Sequence, residues 1–111
     1  MRTNFQMEYQ NITMIQGNTV AFNIEVYDES GELMNVDSCD FTCRNGEEVI
    51  FHKHLGGGIS QTDGIITVRI APEDTKEVDA GQYLYAMQIG VGDDIFTLMS
   101  GTLSIETNAC D

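Results

Sequence analysis

The chain contains no tryptophan, a single proline, three cysteines and only five lysines and arginines in 111 residues. Each shortage excludes something. Five cations against eighteen carboxylates leave a net charge of −13. A surface of that sign repels phosphate backbones and anionic lipid headgroups, so neither nucleic acid nor a membrane is an expected partner. The carboxylates read first as a solvated surface, with docking onto a basic neighbour or binding of divalent cations as sharper alternatives. No apolar run reaches the length that crosses a bilayer, and Met1, Arg2, Thr3, Asn4 and Phe5 lead into polar residues instead of the apolar segment of a secretory signal. The expectation is a chain made and kept in the cytoplasm, where the Asn11-Ile12-Thr13 triplet is a chance match to a glycosylation acceptor.

An odd number of cysteines does not build a disulfide framework. Cys39 and Cys43 fall four apart on a predicted strand, which separates their Cα atoms by about 13 Å. A disulfide spans at most about 7 Å. Both are expected to be buried free thiols, while Cys110 lies next to the C-terminus, where it could bridge to a second copy.

What the sequence does have is apolar material in alternation. Hydrophobic residues make up 41%, with five Phe and four Tyr as large core side chains, enough for one domain that needs no metal or disulfide. Phe5, Met7 and Tyr9 alternate with polar residues, and a second short run covers 11–15, so residues 1–11 read as an N-terminal arm or edge strand. The cleanest alternation, 19–27, puts Val20, Phe22, Ile24 and Val26 on a predicted core face. Residues 28–32 form a turn by composition. In 38–44, Cys39, Phe41 and Cys43 face one way, Asp40, Thr42 and Arg44 the other. Asn45-Gly46 is a hairpin signal leading into 49–55, and Gly56-Gly57-Gly58 reads as a flexible loop. After a turn at Thr62-Asp63-Gly64, Ile66, Val68 and Ile70 alternate again. The final hairpin is predicted to pair 83–91 with 95–106, with Gly101 marking a bulge and 107–111 a tail.

Pro72, followed by Glu73 and Asp74, has the form of a helix N-terminus, so one short helical turn is expected, with Val78 dipping toward the core. It delivers the chain to Asp79-Ala80-Gly81-Gln82-Tyr83. An Asp-x-Gly-x-Tyr ahead of a period-two run has the form of a tyrosine corner. Together these signals predict an all-β, immunoglobulin-like antiparallel β-sandwich of about seven or eight strands spanning 1–106. Tyr85 stands where the second core cysteine of an antibody domain would follow the corner, so the core must be closed by packing alone.

Candidate chemistry is sparse. His52 and His54 share a strand face with roughly 7 Å between their Cα atoms, a spacing that metal sites use, yet their phase is opposite to that of Cys39 and Cys43. Glu47-Glu48 and Asp93-Asp94 are adjacent turn residues that diverge. Asp28, Glu29 and Glu32 lack the spacing of a calcium loop. No Ser, His and Asp set can be assembled, and no lysine follows the glycine run as a phosphate loop requires. No catalytic residue, metal site or cofactor is assigned. Exposed aromatics such as Tyr27, beside acidic loops, leave carbohydrate or receptor binding open.

Ile15-Gln16-Gly17-Asn18-Thr19, Val26-Tyr27-Asp28-Glu29-Ser30-Gly31, Ala71-Pro72-Glu73-Asp74-Thr75, Gly81-Gln82-Tyr83-Leu84-Tyr85 and Thr97-Leu98-Met99-Ser100-Gly101-Thr102-Leu103 occur in an order that runs over most of 12–106. In that order the chain resembles the small immunoglobulin-like domains of phage and prophage tail and baseplate proteins, typified by the baseplate upper protein N-terminal domain family. The resemblance implies a non-enzymatic virion or assembly module, placed in the virion after assembly in the bacterial cytoplasm. Its implied partners are other tail or baseplate subunits, with homo-oligomerisation as an option.

Overall fold

The alternating runs become strands that turn their apolar members inward. A computed structural model describes residues 8–110. Among them are nine strands, β1 (Glu8–Tyr9), β2 (Ile12–Ile15), β3 (Val20–Glu25), β4 (Ser38–Asn45), β5 (Glu48–Leu55), β6 (Gly58–Thr62), β7 (Ile65–Ile70), β8 (Gly81–Val91) and β9 (Asp94–Glu106), and one helical turn, α1 (Pro72–Thr75). The hydrogen-bonded order is β1-β9-β8-β4-β5-β6-β7-β3, with β2 also on β9. Only two residue pairs join β5 to β6. There the sheet folds over and lays β6, β7 and β3 against β4 and β8, the two layers of an immunoglobulin-like sandwich.

Between the layers the ring of Phe41, fully buried, meets Phe22 edge-on at 5.9 Å and stacks on Tyr85 at 5.1 Å and Phe51 at 6.1 Å. Tyr85 thus fills with an aromatic ring the place left empty by the missing cysteine. Its hydroxyl donates to the carbonyl of Gln10, 75 residues away in sequence, which ties the N-terminal strand to the core. Of the core face predicted over 19–27, Val26, just past the end of β3, is buried, while Val20, Phe22 and Ile24 of β3 are half-buried at the sandwich edge.

The corner forms as its residues require. Tyr83 donates to the carbonyl of Asp79 at 2.5 Å, and α1 precedes it, with Asp74 Oδ2 accepting from the Ala71 N–H at 2.7 Å. That carboxylate also takes the Nζ of Lys53 at 2.5 Å, both side chains being largely buried, so β5 is clamped to the turn. Val78 packs on the core as expected. Tyr83→Phe is expected to cost about 1 to 2 kcal/mol in chemical denaturation, by removing a hydrogen bond while leaving the ring in place.

Five expectations change. The sandwich is not wholly antiparallel: β1 and β2 run parallel to β9, Glu8 opposite Met99 and Ile12 opposite Leu103. Phe5 and Met7 of the predicted N-terminal alternation lie outside the described residues. Gly56-Gly57-Gly58 is a hydrogen-bonded turn rather than a flexible loop, since His54 and Gly57 exchange both backbone hydrogen bonds, and Gly58 opens β6, a strand not anticipated, which pairs parallel with the end of β5. Gly101 is not a bulge. The bulge sits at Leu98, between the pairs Met87–Met99 and Gln88–Thr97, and Gly101 instead marks a close approach, where a Cβ would lie 2.3 Å from the Gln10 oxygen. Parity with Phe51 and Leu55 would turn Val49 inward, but a second bulge, at the step between Cys43 and Arg44, shifts the phase of β5, so Val49 points outward, 47% exposed. The final hairpin also extends further than expected, with β8 beginning at Gly81 and β9 at Asp94.

Candidate docking face

Because each strand alternates, burying Cys39, Phe41, Cys43, Tyr85, Met87, Ile89, Met99 and Leu103 commits the intervening residues to the outer side of the larger layer. Register then assembles them into rows. One row runs His52, Thr42, Ala86, Ser100 and Tyr9. Beside it lie Val49, Arg44, Leu84 and Thr102 on one flank, and His54, Asp40, Gln88 and Thr97 on the other. Ser38, Gly90 and Ile95 form a fourth row, and Ile15 sits beside Glu106 at the edge.

This face differs from the rest of the surface in both charge and polarity. Of the seven large apolar side chains exposed among the described residues, Tyr9, Ile15, Val49, Leu84 and Ile95 lie on it, with Tyr9 80% and Leu84 64% exposed. The other two, Tyr27 and Leu33, are bridge partners at the end of the sandwich. Among the described residues, Asp40 is the one carboxylate on the outward side of β4, β5 and β8. It is held by His52 Nε2 at 2.8 Å. Among the described residues, Arg44 reaches only the Glu47 carbonyl, at 3.4 Å. The rest is Ser, Thr, Gln and Ala, and a shallow depression of about 160 Å³ is lined by Asp40, Thr42, Arg44, Ala86 and Gln88.

The carboxylates gather elsewhere. Segment 26–37, the 63–64 turn and the 92–94 turn are joined by backbone and side-chain hydrogen bonds, among them Val26 to Gly64 and Gly92 to Asp37. They form an end that, with Glu25, carries Asp28, Glu29, Glu32, Asp37, Asp63, Asp93 and Asp94 and no lysine or arginine. Asp28 Oδ1 accepts from the Ser30 hydroxyl and from the N–H groups of Ser30 and Glu32; the hydroxyl first, then the backbone bonds, hold its carboxyl below the usual range. That is an aspartate closing its own turn. The Tyr27 hydroxyl donates to the Glu25 carboxylate, which raises the phenol above its ordinary value.

The sequence-level candidates separate in space. Cys39 and Cys43 face the core, whereas His52 and His54 face solvent with ring centroids 5.6 Å apart. They lie on opposite sides of the sheet, and among the described residues no cluster of three or more metal-binding side chains forms. Burial pushes the Cys39 thiol up to about 12, with the Asp40 charge adding to it, and the Cys43 thiol up to about 11. Neither can act as a thiolate nucleophile near neutrality.

Exposed Cys110 should therefore react with a thiol reagent in the folded protein, and the other two only on unfolding. The same burial makes stability depend on alkali. An unfolded thiol titrates near pH 8.5, below both folded values, so the contribution of the two neutral thiols is complete below that pH and is lost as pH rises toward 11 and 12. Denaturation midpoints should fall between about pH 9 and 11, and Cys39→Ala with Cys43→Ala should flatten that decline.

No family model and no curated protein matches the sequence. Among solved structures, the N-terminal Ig1-2 module of the Drosophila receptor protein tyrosine phosphatase DLAR is similar at 18% identity and a TM-score of 0.48, covering 90% of this chain and 46% of that one. The N-terminal four Ig domains of Dscam1 isoform 7.44 are similar at 9% identity and a TM-score of 0.44, covering 96% and 24%. The chain spans less than half the length of either. Among the described residues, no helix is long and apolar enough to cross a membrane.

Proposed function

We propose that this chain is a non-enzymatic docking module that binds another protein through the outer face of the β5-β4-β8-β9 layer, and that it serves as a structural or assembly component of a phage or prophage tail or baseplate. The observation that carries the docking reading is that five of the seven exposed large apolar side chains lie on one face whose charged residues are Asp40, Arg44 and, at its edge, Glu106, on a chain with net charge −13. Burying an aliphatic or aromatic side chain of that size yields roughly 1.5 to 3 kcal/mol. The depression on it, of about 160 Å³, is below the roughly 300 Å³ at which small-molecule pockets begin. A partner's surface fits such a face better than a small ligand does.

The phage assignment is supported by the ordered sequence resemblance. Its pieces fall on framework: the turn after β2, α1, the corner and the close approach at Gly101. The test is co-expression of the tagged chain with tail and baseplate subunits. Retention of one such subunit in stoichiometric amount is expected; retention of none would sink the assignment. A carbohydrate-binding role is the second reading, favoured by Tyr27 at 46% exposure. Glycan binding that disappears in Tyr27→Ala, with no tail subunit captured, would put it first.

A further inference from the structure

We propose that the partner of this face is a second copy of the chain, the two copies stacking face to face about a two-fold axis; this rests on the docking reading above and names its occupant.

Charge selects the occupant. Two molecules that each carry −13 repel wherever their acidic ends or edges meet, and like charges brought together desolvated oppose association. The outer face is where that repulsion is least. It also carries its own complement, because Arg44 and Asp40 lie on one strand, on the same side of the sheet, with Thr42 between them. Four residues of strand place them about 13 Å apart. A closed dimer uses the same patch twice, so each residue must meet the symmetry mate of its partner. An axis lying between the faces, across the strand direction at Thr42, sets each Arg44 over the other copy's Asp40. The guanidinium, bonded among the described residues only to the Glu47 carbonyl at 3.4 Å, is long enough to span the roughly 10 Å between packed sheets.

The same axis brings Ala86, Thr42 and the shallow depression to the middle, and Val49, Leu84, Tyr9 and Ile95 around them. Four strands at about 4.8 Å spacing and eight residues at about 3.3 Å give a patch of roughly 500 Å². This is below the ~800 Å² per partner of a standard stable interface. The dimer is therefore expected to be concentration-dependent rather than obligate.

Sedimentation equilibrium on four proteins decides the matter: wild type, Asp40→Arg, Arg44→Asp and the double exchange. Wild type should show a dimer fraction that grows with concentration. Each single variant places like charges opposite each other and should weaken dimerisation at least about tenfold. The double exchange should restore it, and an equimolar mixture of the two singles should form the heterodimer that neither forms alone. These side chains are outward, so circular dichroism, and melting at concentrations too low for the dimer to form, should match wild type in all four. A wild type that stays monomeric throughout, or singles that dimerise as well as wild type, would overturn the proposal. If wild type is monomeric but Leu84→Lys still abolishes capture of a different subunit, self-association fails while the docking reading survives.

Discussion

Replacing Phe41 with alanine is expected to remove about 3 to 5 kcal/mol of stability, as a fall in the denaturant midpoint with little change in slope. The ring is wholly buried and in contact with three other aromatic rings, from β3, β5 and β8. Without tryptophan or disulfide, these rings are the largest side chains of the core, and Phe22 reaches Phe41 from the opposite layer. Loss of the Phe41 ring leaves a cavity that the surrounding β-sheet cannot close by a small shift, because the backbone on both sides is fixed by ladder hydrogen bonds. Domains of this size are stable by only about 5 to 15 kcal/mol, so the variant should be near the threshold of folding at 37 °C. Val49→Ala, on the outer face, should change stability by about 0.5 kcal/mol or less. If the two substitutions cost the same, the division into a buried inner face and a free outer face is wrong.

Gly101→Ala should have the second large effect, by a different route. The new methyl would lie 2.3 Å from the carbonyl oxygen of Gln10 and 2.9 Å from its carbon, both backbone atoms that no rotamer change can move aside. The β1–β2 segment must therefore shift away from β9, and with it goes the bond from Tyr85 to Gln10. A cost of about 1 to 3 kcal/mol is expected. Its location is more telling: backbone amides of 9–16 should lose protection from hydrogen exchange while those of β3 and β7 keep theirs. Uniform loss of protection across the sandwich would show that Gly101 is not a local crossing point.

What could be read from the sequence was what local pattern encodes. β3, β4, β7 and β8 alternate, and the corner is a five-residue motif whose bond spans four residues, from Tyr83 to Asp79. What could not be read depends on partners distant in the chain. The parallel pairing of β1 and β2 rests on β9, about ninety positions away. The role of Gly101 exists only because Gln10 crosses it, and a glycine where apolar parity changes looks like a bulge from within its own strand. β6 was hidden because Gly58-Ile59-Ser60-Gln61-Thr62 holds one apolar residue and opens on glycine, so it lacks the signature of a strand. Lys53 carried no signal of its bond to Asp74, since charged side chains on strands are ordinarily solvated.

The docking face was missed for a related reason. Tyr9, Val49, Leu84 and Ile95 each look like an isolated exposed apolar residue, and single ones need no explanation. Val49 has the parity of buried Phe51, and only the bulge opposite Cys43 and Arg44 turns it outward. Only the register of five strands, from β1 through β9, β8 and β4 to β5, brings them together. The histidines, by contrast, were placed correctly by parity alone.

Two substitutions compared in one capture assay test the docking face most directly. Leu84→Lys puts a charge on the face at a side chain already 64% exposed, and Tyr27→Lys puts the same charge at the acidic end on one that is 46% exposed. With the tagged chain as bait and both variants confirmed folded, Leu84→Lys is expected to lose the bound subunit or second copy, while Tyr27→Lys retains it. Retention by Leu84→Lys at wild-type level, with loss by Tyr27→Lys, would contradict the account and move the binding surface to the acidic end.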